Sequence, residues 1–122
     1  MHEMSIARSI LDIAIEAAER GGAKRITRVN VLAGELRAIE PLHLAFCFSL
    51  MAEDTIASAA ELNVETVPVK GTCRSCDETF IIEGYQYVCP RCHSLDIQAE
   101  GGTELRLTDI EVEYRLWEGD YP

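Results

Sequence analysis

Four cysteines arranged as two pairs constrain this chain more than any other feature of its sequence. Cys73 and Cys76 form the first pair, Cys89 and Cys92 form the second, and twelve residues separate the pairs. Two residues between the cysteines of a pair let one tight turn direct both sulfurs at one point. The spacing therefore predicts a tetrahedral zinc site, and four thiolates make it structural because they leave no position for water or a substrate.

Three other roles for the four cysteines are weaker. Iron in the same cage would give a rubredoxin-like electron carrier, which the sequence leaves open. A nucleic-acid-binding ribbon is disfavoured because residues 71–98 hold two arginines against four acids, and a zinc thiolate centre adds further negative charge. Attachment of c-type haem at Cys89, Cys92 and His93 would leave the first pair unexplained. We interpret His93 as a polar residue beside the zinc site; the alternative is a ligand that exchanges with a cysteine as the pH changes.

Hydrophobic periodicity predicts two helices in the rest of the chain. Residues 4–20 carry apolar side chains at spacings of three and four, which is typical of an amphipathic helix. Glu40 and Pro41 predict the start of a second helix, since proline suits the first helical position. Residues 42–52 are apolar almost all round, so we expect this second helix to be well buried. On it, Cys47 is interpreted as a small apolar core residue and His43 as a structural or surface histidine.

Alternating apolar residues predict three strands, at residues 26–33, 62–69 and 105–116. In the third strand the alternation changes parity between Leu107 and Ile110, which indicates a bulge or a change of sheet face. The predicted fold class is α+β: two helices with a small mixed three-stranded sheet, plus an inserted four-cysteine zinc ribbon.

The predicted domain organisation follows from where aliphatic residues are scarce. Residues 70–102 hold the paired cysteines and few aliphatic residues, so we expect a zinc-ribbon insertion there. Residues 1–69 and 103–117 would form the surrounding α/β domain, and residues 118–122 form a short acidic tail.

Charge and composition exclude several function classes. The chain holds 11 basic and 21 acidic residues, for a net charge of −10, which disfavours binding to nucleic acid. No apolar run reaches the roughly 18 residues that a membrane span needs, and the first residues do not resemble a signal peptide. We therefore expect a cytoplasmic protein with no membrane or nucleic-acid partner. No catalytic constellation is recognisable, so we expect no enzymatic activity.

The first three residues offer a second set of metal ligands. Met1 should be retained because His2 is large. The α-amine of Met1 and the amide and imidazole nitrogens of His2 can then close fused chelate rings, and the amide of Glu3 could complete a nitrogen plane. Such a plane suits Ni(II) or Cu(II) and not zinc. The alternative is a frayed terminus with an exposed histidine.

Taken together, these motifs resemble one known family. Residues 1–5, MHEMS, lead straight into the predicted helix, residues 29–36 read VNVLAGEL, and residues 89–94 read CPRCHS. In order and spacing this chain resembles the HypA/HybF family, the nickel-incorporation metallochaperones of NiFe-hydrogenase maturation. The resemblance covers essentially the whole chain apart from the acidic tail.

The resemblance implies a set of ligands and partners. It implies transported Ni(II) on the Met1 amine, the His2 amide and imidazole and the Glu3 amide, and structural Zn(II) on the four paired cysteines. It also implies two partners, a nickel-handling GTPase and the precursor of the hydrogenase large subunit; some relatives also serve urease. A pH-dependent exchange of zinc ligands, linked in some members to a histidine after both cysteine pairs, is not expected, because Asp77 follows the first pair here.

An alternative from another class is a zinc-ribbon scaffold that transports no metal. A scaffold should tolerate an N-terminal tag or the substitution His2→Ala, whereas a chaperone should not.

Overall fold

The computed structural model describes residues 3–114, which form two α-helices, a short 3-10 helix and six strands. In chain order the elements are α1 (Glu3–Arg20), β1 (Arg25–Gly34), the 3-10 helix (Glu35–Arg37), α2 (Pro41–Ala52), β2 (Glu61–Val67), β3 (Val69–Cys73), β4 (Thr79–Ile82), β5 (Ile97–Glu100) and β6 (Leu105–Glu113). Met1 and His2 of the predicted nickel site lie outside the described residues, as do residues 115–117 and the acidic tail.

The chain divides into two compact units. The first, here called the helix unit, comprises residues 3–31, 39–64 and 106–114 of the described chain. The second, the cysteine unit, comprises residues 32–38 and 65–105. The predicted insertion at residues 70–102 falls within the cysteine unit, and its boundaries stay a prediction.

Helix α1 forms as its sequence periodicity predicts. Its buried residues recur at helical spacing and are Ile6, Ala7, Ile10, Leu11, Ala14 and Ala18. The helix ends before Gly21 and Gly22, and Gly22 has a φ of 73°, the left-handed conformation that closes many helices. Because its apolar stripe faces inward, α1 can pack against α2 in the helix unit.

Helix α2 begins where Glu40 and Pro41 predict. The Glu40 carboxylate accepts a hydrogen bond from the Leu42 amide at 2.9 Å, and Pro41 occupies the first helical turn, where its missing N–H costs nothing. Among the residues described, neither helix has the length and apolar content that crossing a membrane requires.

The expectation that α2 is well buried is correct for one of its faces and wrong for the other. The buried face consists of Leu44, Cys47, Phe48 and Ala52. Leu42, Phe46 and Leu50 remain 81%, 60% and 47% exposed. The reason is the small size of the domain. In a two-layer structure the neighbouring layer covers only one face of a helix, so the opposite face stays exposed even when it is apolar.

The sheet of the helix unit has the order β2-β1-β6 and is mixed, as predicted. Residue numbers fall along β6 as they rise along β1, which makes this pair antiparallel: Thr27 contacts Glu111, and Asn30 contacts Thr108. Residue numbers rise together along β1 and β2, which makes this pair parallel: Arg28 contacts Glu61, and Asn30 contacts Asn63.

Two details of the predicted strands have different outcomes. The parity change in β6 is confirmed, since the neighbours Thr108 and Asp109 are both exposed while the positions that flank them are half-buried.

The prediction of one strand over residues 62–69 is wrong. Pro68 divides it into β2 and β3, which belong to different sheets, because proline has no N–H to donate to a continuous ladder.

The cysteine unit contains a second three-stranded sheet that the sequence did not predict. Its order is β4-β3-β5, and β3 pairs antiparallel with both neighbours. Gly71 at the centre of β3 lies opposite Phe80 on one side and Ala99 on the other. Val69 and Ile82 are buried at the end of this sheet, so the unit has a small apolar core besides its cysteines.

Candidate metal centre

The two cysteine pairs lie on two turns with the same backbone design, here called knuckles. In the first knuckle the Asp77 amide donates to the Cys73 carbonyl at 2.8 Å, and in the second the His93 amide donates to the Cys89 carbonyl at 2.9 Å. Asp77 and His93 both have a φ of 64°, a left-handed conformation that aspartate and histidine adopt more readily than most residues. The two residues are therefore structurally equivalent, and each closes its knuckle.

The knuckles bring all four paired cysteine sulfurs together. The Sγ atoms of Cys73 and Cys92 are 3.5 Å apart, those of Cys76 and Cys89 are 3.6 Å apart, and all four lie within 4.8 Å of one another. A tetrahedral zinc with sulfurs at about 2.3 Å needs sulfur–sulfur distances of about 3.8 Å. A disulfide would need about 2.05 Å. The arrangement fits a four-thiolate metal and not two disulfides.

One sulfur of each contacting pair has a lowered pKa. Burial raises the pKa of Cys73, but backbone amides of its own knuckle and the neighbouring thiols lower that pKa to about 6. Burial likewise raises the pKa of Cys89, and hydrogen bonds from the amides of Cys92 and Arg91 lower it below its ordinary value. Both amide nitrogens lie 3.4 Å from the Cys89 sulfur. Cys73 and Cys89 are the first cysteines of their pairs.

The other sulfur of each contacting pair holds its proton more tightly. An amide hydrogen bond from Glu78 lowers the pKa of Cys76, but burial and the neighbouring thiols raise that pKa to about 12. The Ser94 amide lowers the pKa of Cys92, yet the Cys73 sulfur and burial raise it above its ordinary value. Each close sulfur pair thus joins a cysteine whose pKa is lowered to one whose pKa is raised, and a divalent metal must displace the protons that remain.

Salt bridges surround the cysteine cluster on the surface. Arg74 pairs with Asp96 at 3.0 Å, and Arg91 pairs with Glu78 at 3.8 Å. The residues at these contacts are exposed or partly so, and each pair contributes little to stability. Their consequence is electrostatic: both arginines near the cluster are matched by carboxylates, which is a poor arrangement for binding phosphates.

Of the three residues predicted to bind nickel, the structure describes Glu3 alone. Glu3 is the first residue of α1, and its Oε1 lies 3.4 Å from Nδ1 of His43 on α2. Its own backbone amide lowers the pKa of the Glu3 carboxyl, burial opposes this shift, and the Glu40 amide and the His43 ring lower the pKa further. Sequence reasoning missed the approach of His43, because nothing local relates residues 40 apart in the chain.

The remaining histidine and cysteine assignments agree with the structure. Cys47 is 3% exposed, as expected of an apolar core residue, and its Sγ lies 3.8 Å from Nε2 of His43. The His43 side chain is 57% exposed, as expected of a surface histidine. Neither residue belongs to the four-cysteine cluster.

Comparison with protein families gives a match that covers most of the chain. A family model described as the hydrogenase/urease nickel-incorporation metallochaperone HypA matches residues 1–112. The hydrogenase maturation factor HypA of Chlorobaculum parvum is 40% identical over 113 residues, which are 93% of this chain and 100% of that protein. The HypA of Pelodictyon phaeoclathratiforme is 41% identical, with 93% of this chain and 97% of that protein covered.

Solved structures give a match of similar extent. The solution structure of the Ni metallochaperone HypA from Helicobacter pylori is similar with a TM-score of 0.63 and 29% identity, covering 94% of this chain and 100% of that one. A second solution structure, of a HypA protein, has a TM-score of 0.66 at 29% identity and covers 94% and 98% of the two chains.

Proposed function

Because the chain belongs to the HypA family of hydrogenase and urease nickel-incorporation metallochaperones, we propose that it binds Ni(II) at residues 1–3 and passes it on. The family consists of metallochaperones and not of enzymes. The recipient in this proposal is the precursor of a NiFe-hydrogenase large subunit, and a nickel-handling GTPase assists the transfer. The match of a nickel-incorporation family over residues 1–112 is the single observation that carries the proposal.

In the proposed nickel site, nitrogen donors come from consecutive residues. The donors are the Met1 amine, the amide and imidazole of His2 and the amide of Glu3, all of which suit Ni(II) better than zinc. Glu3 begins α1 directly, so nickel would be bound at the end of a rigid helix. Such a site can open to release its metal, as transport requires, whereas a closed thiolate cage cannot.

In the proposed zinc site, the metal is structural and stays in the protein. Cys73, Cys76, Cys89 and Cys92 would bind Zn(II), and the sulfur distances of 3.5 and 3.6 Å support this set. Binding would contribute on the order of 10 kcal/mol to folding of the cysteine unit. All four positions around zinc would be filled by sulfur, so nickel transfer does not pass through this site.

The proposed partners and location follow from charge and family. A net charge of −10 attracts cationic metal and a more basic protein surface. We place the protein in the cytoplasm, where hydrogenase precursors and GTPases would be accessible.

A Ni(II) titration tests the proposal. Untagged, zinc-loaded protein should bind one Ni(II), and the binding should be lost in His2→Ala and when one extra residue precedes Met1. His93→Ala is the matched control and should bind nickel normally, because His93 closes a knuckle in the cysteine unit. Equal binding by the extended protein would contradict the nickel site, and no binding by any form would leave a zinc-ribbon scaffold.

A further inference from the structure

Helix α2 carries a row of exposed apolar side chains, formed by Leu42, Phe46 and Leu50 and here called the α2 strip. These residues recur at every fourth position, so they lie along one face of the helix and extend over about 12 Å. Their exposed fractions are 81%, 60% and 47%. The hydroxyl of Ser49, which is also exposed, donates to the Ala45 carbonyl at 3.0 Å and is thus satisfied within the helix. The α2 strip therefore presents mainly apolar carbon.

The other helix of the same unit shows how an exposed face is normally built. The exposed residues of α1 include Arg8 and Asp12, which form a salt bridge at 3.7 Å. In contrast, α2 has no lysine, arginine, aspartate or glutamate from Pro41 to Ala52. Helices that face water carry polar residues on that side, whereas a contiguous exposed apolar patch marks a surface that binds another molecule. The composition of the α2 strip is therefore typical of a docking surface.

The charged residues that flank the α2 strip along the chain are all acidic. Glu40 caps the start of α2, Glu53 and Asp54 follow its end, and all three are exposed. The chain has no lysine or arginine between Arg37 and Lys70. The acids at the end of α2 add to the negative end of the helix dipole, which no basic residue of the last turn offsets. Both ends of the α2 strip therefore attract positive charge.

This charge pattern disfavours a second copy of the chain as the occupant of the α2 strip. If two α2 helices packed antiparallel, Glu40 of one copy would approach Glu53 and Asp54 of the other. If they packed parallel, each acid would approach the same acid of the second copy. Either arrangement brings like charges together across an interface, which is costly, and adds to the repulsion between two chains of net charge −10.

The same pattern disfavours a membrane surface. Helices that lie on membranes carry lysine and arginine on their polar face, which attract anionic lipids. Helix α2 has neither residue type, and the acids at its ends are repelled by such lipids. A protein surface with positive charge is the occupant that fits the α2 strip.

We propose that the α2 strip docks an amphipathic helix of another protein, with an apolar face and basic residues at its flanks. A row of side chains four residues apart forms a ridge that packs between the ridges of a second helix. The basic residues of that helix meet the acids at the two ends of α2. Phe46 lies at the centre of the strip and is the anchor, because buried aromatic residues at the centre of an interface carry much of the binding energy. The surface does not include residues 1–3, so it is separate from the proposed nickel site.

Binding of a labelled model helix, measured by fluorescence anisotropy, tests the docking surface. The probe is a synthetic amphipathic peptide with leucine on one face and lysine at its flanks, and a second peptide has glutamate in place of lysine. Full-length, zinc-loaded protein should bind the lysine peptide, more weakly as salt is added, and should not bind the glutamate peptide. Phe46→Gln should weaken binding of the lysine peptide by about tenfold or more. Ile81→Gln is the matched control and should bind normally, since Ile81 is a 51% exposed apolar residue of the cysteine unit.

A second variant tests the acidic end of the α2 strip. Glu53→Gln combined with Asp54→Asn should weaken binding of the lysine peptide several-fold and reduce its dependence on salt. Asparagine suits the left-handed φ of 64° at residue 54, so the backbone should not change. Circular dichroism and nickel titration of the Phe46 and Glu53/Asp54 variants should match those of native protein.

Several results would overturn the proposed docking surface. No binding of the lysine peptide, or equal binding by native protein and Phe46→Gln, would show that the α2 strip does not recognise such a helix. A dimer in sedimentation equilibrium that Phe46→Gln dissociates would make the occupant a second copy. Binding to vesicles of equimolar phosphatidylcholine and phosphatidylserine that Phe46→Gln abolishes would make it a membrane. Failure of native protein to bind nickel would refute the proposed nickel site and leave the peptide result unaffected.

Discussion

At the scale of single residues, the cysteine unit contains a close approach of two backbone segments, at Gly34 and Gly102, that leaves no room for a side chain on Gly34. This residue ends β1 in ordinary extended backbone, with φ −68° and ψ 144°, so its conformation does not require glycine. Its surroundings do require glycine, because a Cβ at this position would overlap the carbonyl carbon and oxygen of Gly102. The Gly34 amide also donates to the Glu104 carbonyl at 2.6 Å. The two backbones touch because residue 34 has no side chain.

We expect Gly34→Ala to lower the free energy of unfolding of the zinc-loaded protein by about 1–3 kcal/mol, through overpacking against rigid backbone. The measurement is urea unfolding followed by circular dichroism. Gly21→Ala is the matched control, because a Cβ there meets nothing closer than 3.7 Å, and it should change stability by about 0.5 kcal/mol at most. Equal effects of the two substitutions would mean that the contact at Gly34 is not rigid.

At the scale of elements, each knuckle shifts the pKa values of its two cysteines in opposite directions. Each first cysteine receives amide hydrogen bonds that lower its pKa, while each second cysteine has a raised pKa. Each sulfur–sulfur contact joins one of each kind. The same backbone turn therefore has the same electrostatic effect in both knuckles: its amides lower the pKa of the first cysteine and so favour the thiolate form that binds a divalent metal.

Zinc binding to metal-free protein at neutral pH should therefore release fewer than four protons. Cys73, with its pKa of about 6, has already lost its proton at neutral pH, whereas Cys76, with its pKa of about 12, must still give one up. Zinc affinity should fall as the pH falls, and more steeply below about pH 6, where Cys73 also becomes protonated. Calorimetry in buffers of different ionisation enthalpy measures the proton count, and release of four protons would contradict the assignment to Cys73.

At the scale of the whole molecule, the chain forms two compact units with different sources of stability. The helix unit buries the apolar faces of two helices. The cysteine unit has short strands, and two of the cysteines are among its few fully buried residues. We expect a unit with so small an apolar core to depend on a bound metal for part of its stability, because burial offsets only part of the entropy of ordering its backbone.

Removal of zinc should therefore loosen the cysteine unit and leave the helix unit folded. We expect amides of residues 65–105 to lose protection from hydrogen exchange when zinc is chelated or in Cys73→Ala, while amides of α1 keep theirs. Cys47→Ala is the control and should retain both zinc and protection in the cysteine unit, because Cys47 lies outside the cluster. Loss of protection in α1 together with the cysteine unit would show that the two units unfold as one.

Features set by residues close in sequence could be predicted from the sequence itself. The convergence of sulfurs within each pair depends on a turn of a few residues, the extent of α1 depends on helical periodicity, and the start of α2 depends on Glu40 and Pro41. The motifs that resemble the HypA/HybF family are also local, and the family match confirms that resemblance. Local geometry and side-chain chemistry determine these features, so no tertiary contact was needed to predict them.

Features that depend on contacts between distant residues were decided only by the tertiary structure. The exposed face of α2, the passage of the chain at Pro68 from one sheet to the other, and the sheet of the cysteine unit were not predictable from local pattern. The approach of His43 to Glu3 belongs with them, since it arises from how α1 packs on α2. The pattern of apolar residues in the sequence indicates which residues can be buried. Tertiary packing decides which of them are covered and which polar groups come into contact.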